Sequence, residues 1–147
     1  MRVALTPSTD PADYPFSHRI RTRFAETDAM GIIHHSAYAP YLEEARSSLL
    51  RHAGHPYEEV RLEGIDFAVL ELFVRYRRPL RFDERVDIHV TVGHLTRASF
   101  QAGYLLAVNG EARATAVTVH GAVDPNGRVV RMPSWLAGVI DRNPAAQ

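Results

Sequence analysis

Two carboxylates, Glu26 and Asp28, stand shortly before the point where helical periodicity begins, and Gly31 and the adjacent pair His34-His35 fill the interval. That spacing can do carbonyl chemistry. The first turn of a helix leaves backbone N–H groups without partners. With the positive end of the helix dipole, they can hold an oxygen on which negative charge is growing. An acid facing the same point can attack the carbon or activate a water.

The flanking sequence supplies the elements that would position these groups. Residues 17–24 alternate in the manner of a strand. From Tyr38 the positions Tyr38, Tyr41, Leu42, Ala45, Leu49 and His52 form one apolar stripe at steps of three and four, which predicts an amphipathic helix. Pro40 fits only its first turn, and Gly54 is placed to end it. Residues 56–62 suggest a turn or a second short helix. Residues 65–123 then read as long antiparallel strands. In the first, Ala68, Leu70, Leu72, Val74 and Tyr76 alternate with Phe67, Val69, Glu71, Phe73 and Arg75; in the second, Val86, Ile88, Val90 and Val92 alternate with polar residues. Residues 99–108 and 112–123 are joined by Asn109-Gly110, a two-residue hairpin signal. Asp124-Pro125-Asn126-Gly127 marks another turn, and residues 133–140 a strand end or short helix.

Strand, long helix, then about four strands, with no repeated βαβ unit, predicts an α+β domain with an antiparallel sheet wrapped around the helix. One helix covers one face of such a sheet. A second copy is expected on what remains, with each site including residues of its neighbour.

The chain has 147 residues, enough for one domain with a real core. The expected division is an irregular lead-in over 1–15, the domain over 16–141 and a tail over 142–147. Cysteine is absent, which excludes disulfides, thiolate metal sites and a cysteine nucleophile. All seventeen cations are arginine and balance seventeen acids, so no global field draws the chain to nucleic acid or an anionic membrane. Without lysine there is no Schiff-base chemistry. No stretch is long and apolar enough to span a bilayer, and the first residues do not read as a signal peptide, so a cytoplasmic protein is expected. Adjacent histidines rarely bind one ion together, and no metal site is expected. Glu43 and Glu44 read as a solvated face or an ion pair with Arg46, and Glu71 as a structural partner for Arg75.

The run Thr27-Asp28-Ala29-Met30-Gly31, the pairs Ile32-Ile33 and His34-His35, and the helix carrying Glu43-Glu44-Ala45-Arg46 together resemble the hotdog-fold acyl-CoA thioesterases. They are most similar to the 4-hydroxybenzoyl-CoA thioesterase family and its Tol-Pal-associated relatives. Tyr76-Arg77-Arg78-Pro79-Leu80 and Arg131-Met132-Pro133 extend the likeness over residues 17–140. The resemblance implies that Asp28 is the catalytic carboxylate, nucleophile or base toward water, and that the backbone N–H of His35 polarises the thioester carbonyl. Gly31 would let the loop turn close to the substrate, with His34 beside it; Tyr38, Tyr41 and Leu42 read either as the lining of an acyl pocket or as core packing. Arg97, Arg128 and Arg131 would hold the nucleotide of coenzyme A, which is part of the substrate; no other cofactor is implied. A homodimer or homotetramer with interfacial sites is expected. The rival readings are an acyl-thioester hydratase or dehydratase pairing Asp28 with His35, and a non-catalytic acyl-CoA binding protein.

Overall fold

β3, Arg85–Gly93, shows how a period of two becomes architecture: Val86, Ile88, Val90 and Val92 are all buried on the face that meets the long helix. The computed structural model describes residues 2–141, so the expected tail lies outside the described residues. Around β3 lie β1 (Phe16–Arg21), β4 (Ser99–Val108), β5 (Glu111–Val123) and β2 (Asp66–Tyr76), all antiparallel, in the order β1-β3-β4-β5-β2. The β4–β5 hairpin turns on Asn109 (φ 50°) and Gly110 (φ 80°), both in the left-handed region that such a turn requires.

α1, Tyr38–His52, packs on the inner face through Tyr38, Tyr41, Leu42, Ala45, Leu49 and Leu50. Leu50 takes the place expected of His52, which is exposed. α1 ends at Ala53, with Gly54 at φ 89°. α2 (Tyr57–Leu62) and α3 (Leu136–Asp141) close the ends of the core. Among the described residues, no helix is long and apolar enough to cross a membrane.

Two strand readings need correction. β1 stops at Arg21, because residues 24–26 tighten into a 3-10 turn held by side chains. In β2 the alternation breaks at a bulge between Val69 and Glu71. Phe67 and Val69 therefore share the inner face with Leu72, Val74 and Tyr76, while Leu70 packs over Gly121 on the outer face.

The lead-in is irregular, yet it is seated. Residues 2–9 form a strap on the outer face of β4 and β5, where the buried amide of Gln101 brackets it. Its Oε1 accepts from the N–H groups of Ala4 (2.8 Å) and Leu5 (3.3 Å), and its Nε2 donates to Arg2 O (2.6 Å). The Arg2 N–H also donates to Glu71 (2.7 Å), which takes that partner in place of the expected Arg75.

Under α1 runs a polar chain. Arg46 donates to Tyr104 Oη (3.2 Å), Tyr104 lies 2.7 Å from Thr118 Oγ1, and Thr118 lies 2.7 Å from His120 Nε2. Arginine can only donate, so the tyrosine proton goes to Thr118 and the threonine proton is left for a neutral imidazole. His120 has no exposed surface and stacks on Phe100. Burial, reinforced by the Arg46 charge, pushes its pKa down to about 3. The unfolded chain therefore binds the extra proton between about pH 6.5, the ordinary histidine value, and that lower value. Stability should fall as pH drops through this window, with a slope from this group approaching about 1.4 kcal/mol per pH unit. Denaturant midpoints measured from pH 7 to 4 should show the acid limb flattened in His120→Phe relative to the native chain.

Candidate active site

The acid-bearing loop is fixed to α1 through Glu26. Its carboxylate is nearly buried, with 13 % of the side chain exposed. It accepts from Arg23 N–H (2.8 Å), the Arg23 guanidinium (2.9 and 3.2 Å) and the Tyr41 hydroxyl (2.5 Å). Burial alone would raise this carboxyl; the hydrogen bonds from Tyr41 and Arg23 outweigh it and hold the group below its usual range. Burial and the Glu26 carboxylate push the Tyr41 phenol up. Glu26 is therefore a structural anchor, and its carbonyl also accepts the His34 N–H (2.8 Å).

The next two residues turn the chain toward Asp28. Its N–H donates to Ile32 O (2.8 Å) and its carbonyl accepts from Gly31 N–H (3.0 Å). Gly31 sits at φ 76°, with nothing within 4 Å of where a Cβ would stand. The left-handed backbone conformation by itself requires glycine there. Asp28 Oδ1 accepts from Met30 N–H (2.8 Å) and more weakly from Ile32 N–H (3.4 Å). Part of the bland role of a loop aspartate is thus present in one oxygen. The other oxygen takes no hydrogen bond among the described residues.

A 3-10 turn, His35–Ala37, leads into α1. His34 caps it: its Nδ1 accepts the Ser36 N–H (3.1 Å), while the Ala37 N–H bonds to His34 O (3.0 Å). The His35 N–H has no acceptor among the described residues. A helix-start donor is thus left open beside the acid loop.

Asp28 and His35 line one groove of about 350 Å³ with Ile32, Tyr38, Tyr76 and Pro79. Met30, Ile33, Arg77 and Arg78 complete its walls. Tyr38 meets Tyr76 edge to face at 5.0 Å. Burial, with Tyr76 beside it, pushes the Tyr38 phenol up to about 12, so it is a neutral hydroxyl near pH 7. The wall formed by 76–81 is tied to the acid loop, since the Ile33 N–H donates to Leu80 O (2.8 Å) and Ile32 bridges Arg81. Arg113 fixes that wall from below, donating to Pro79 O (2.8 Å) and doubly to Glu84 (3.0 Å each).

Of the residues expected at the site, Asp28, His35 and Tyr38 line this groove, with Gly31 turning the loop that carries the acid. His34 is a cap. Tyr41 and Leu42 belong to the core, and the Tyr41 hydroxyl is already engaged by Glu26. Arg97, Arg128 and Arg131 gather at the other end of the sheet, where Met132 N–H bonds to Arg97 O (2.8 Å) and Arg128 N–H to Asp124 (2.9 Å). The ten steps of β2 from Asp66 to Tyr76 put roughly 33 Å between the two ends, at about 3.3 Å per residue. One chain therefore does not bring these arginines to its own Asp28. Sequence reasoning missed Tyr76, Arg77 and Pro79 as groove residues, although their run was noted as a strand end. Glu44, read as surface, pairs with His18 at 2.5 Å.

The comparisons bear on the family and the fold. Residues 22–140 match the model of the thioesterase-like superfamily. A protein of Aquifex aeolicus provisionally named an esterase is 38% identical over 126 residues, covering 86% of this chain and 98% of its own. A Bacillus subtilis protein, YneP, provisionally named an acyl-CoA thioesterase, is 29% identical over 71% of this chain and 77% of its own. Among solved structures, the gentisyl-coenzyme A thioesterase BH1999 superposes with a TM-score of 0.79 over 85% of this chain and 99% of its own, at 24% identity.

Proposed function

Because the chain belongs to the thioesterase-like superfamily and has its hotdog fold, we propose that it hydrolyses an acyl-CoA thioester to the free acid and coenzyme A. The observation that carries this is the pairing, in one groove, of an aspartate with an uncommitted oxygen and a helix-start N–H without a partner. The thioester carbonyl oxygen lies on the His35 N–H, which stabilises the oxyanion as the carbon becomes tetrahedral. Asp28 either attacks that carbon and, as the thiolate leaves, forms a mixed anhydride that water then opens, or takes a proton from a water whose oxygen adds to the carbon before the thiolate leaves. Both routes end with the acid and the free thiol. Neither uses a metal.

Thiol release from a panel of aromatic and aliphatic acyl-CoA esters tests the reading. Hydrolysis frees coenzyme A. A hydratase would alter the acyl chain without freeing it, and a binding protein would do neither.

The functional unit is a pair joined along β2. This edge strand leaves Val69 (53 %), Leu72 (47 %) and Tyr76 (54 %) exposed, an apolar edge that invites pairing. A two-fold related copy running antiparallel would set its Asp66 end beside Tyr76, and so bring its own Arg97, Arg128 and Arg131 toward the first groove. Replacing these three by alanine should raise KM for acyl-CoA more than it lowers kcat, because such contacts bind ground and transition states alike. A thioester truncated before the nucleotide should be unaffected; equal effects on both substrates would remove the arginines from the nucleotide site.

A further inference from the structure

We propose that the N-terminal strap occupies a face on which two copies of this chain would otherwise stack, so that association is confined to the β2 edge. The proposal rests on the edge pairing above only for what the strapped chain assembles into.

α1, α2 and α3 bury core residues on the inner face. The outer-face residues Leu105, Ala107, Val117 and Val119 are nonetheless 0–1 % exposed, and residues 2–9 lie over the middle of that face. A Cβ placed on Gly103 would meet Leu5 at 3.5 Å and Pro7 at 3.6 Å, which puts both strap side chains directly over the centre of β4. The Gln101 amide gives up solvent to grip the strap backbone at three points. A buried side chain whose hydrogen bonds all go to an irregular segment indicates that the segment belongs there.

Without the strap, Gly103, Leu105, Val117 and Val119 would face water beside the polar Gln101 and Thr115. β4, β5 and β2, three strands about 4.8 Å apart and about ten residues long, present roughly 14 by 33 Å, or about 470 Å² in projection. That is more than half of the roughly 800 Å² that each partner contributes to a stable interface. The occupant that fits is a second copy. Along β2 the rim carries Glu71 and Arg75, opposite charges four residues apart, which a two-fold related sheet would pair crosswise. A cleft of about 290 Å³ remains beside the strap, lined by Val3, Leu5, Pro7, Phe73, Arg75 and Val117.

The test is sedimentation of three chains at one concentration: the full chain, a chain lacking residues 2–9, and the full-length Leu5→Asp variant. The last places a charge against the Gly103 seat and lifts the strap without shortening the protein. The expected result is a doubling of mass in both altered chains relative to the full chain, with circular dichroism and thiol-release activity per chain retained. A full chain found to be a monomer would sink the edge pairing and leave the strap to be judged by the same doubling. Unchanged mass in a folded Leu5→Asp variant overturns the proposal. So does unfolding of both altered chains, since the strap would then be an ordinary part of the core.

Discussion

Asp28→Asn should fold normally and lose about 10²–10⁴ in turnover, the range that follows removal of a positioned acid–base group. The substitution is nearly isosteric, and a side-chain amide oxygen can still accept the Met30 and Ile32 N–H bonds that shape the turn. What disappears is the negative charge and the free oxygen facing the groove. KM should change little, because neither the Tyr76–Pro79 wall nor Tyr38 depends on that charge. Thiol release from the best native substrate, with thermal unfolding to confirm the fold, gives the answer. Near-normal turnover in a well-folded variant would discard Asp28 as the catalytic group.

An equally large loss should come from a residue that touches no reacting atom. Leu72 is 47 % exposed on the inner face of the edge strand, where an arginine is tolerated by a free chain. In an edge-paired dimer, Leu72→Arg would have to bury that charge against an apolar neighbour, at a cost of several kcal/mol. Each 1.4 kcal/mol is a factor of ten in the dissociation constant. The variant should therefore dissociate at concentrations at least about 100-fold higher than the native chain, and specific activity should fall with mass along a dilution series. Full specific activity from a demonstrable monomer would refute a shared site.

The fold was legible wherever a local rule decides it. β3 and the β4–β5 hairpin follow from alternation and from Asn109-Gly110, and α1 follows from its stripe. The reading failed where side chains reach across the chain. Nothing in residues 17–24 announces that Arg23 and Glu26 will close a turn and end β1 early. Tyr41 sits on the apolar stripe as expected, yet its hydroxyl is aimed at Glu26, fifteen residues earlier, and not at a ligand. The placement of the arginines was hidden for a different reason. Their distance from Asp28 is set by the register of β2 on β5 and β5 on β4, which is non-local information that spacing does not contain. The strap was read as lead-in because its only periodic property, the contact of Leu5 and Pro7 with Gly103, belongs to the sheet and not to the segment itself.

The bulge in β2 has a consequence for how the length of this chain can change. At Leu70 two residues of β2 stand against one of β5. Deleting a residue far from the bulge, such as Val74, would turn part of the strand over, exposing inner-face groups and burying polar ones. Deleting Leu70 restores strict alternation: Phe67, Val69, Leu72, Val74 and Tyr76 all keep their face, and only the cover over Gly121 is lost. Position 70 is thus where the edge strand can gain or shed a residue across generations while the groove at one end and the arginines at the other keep their orientation.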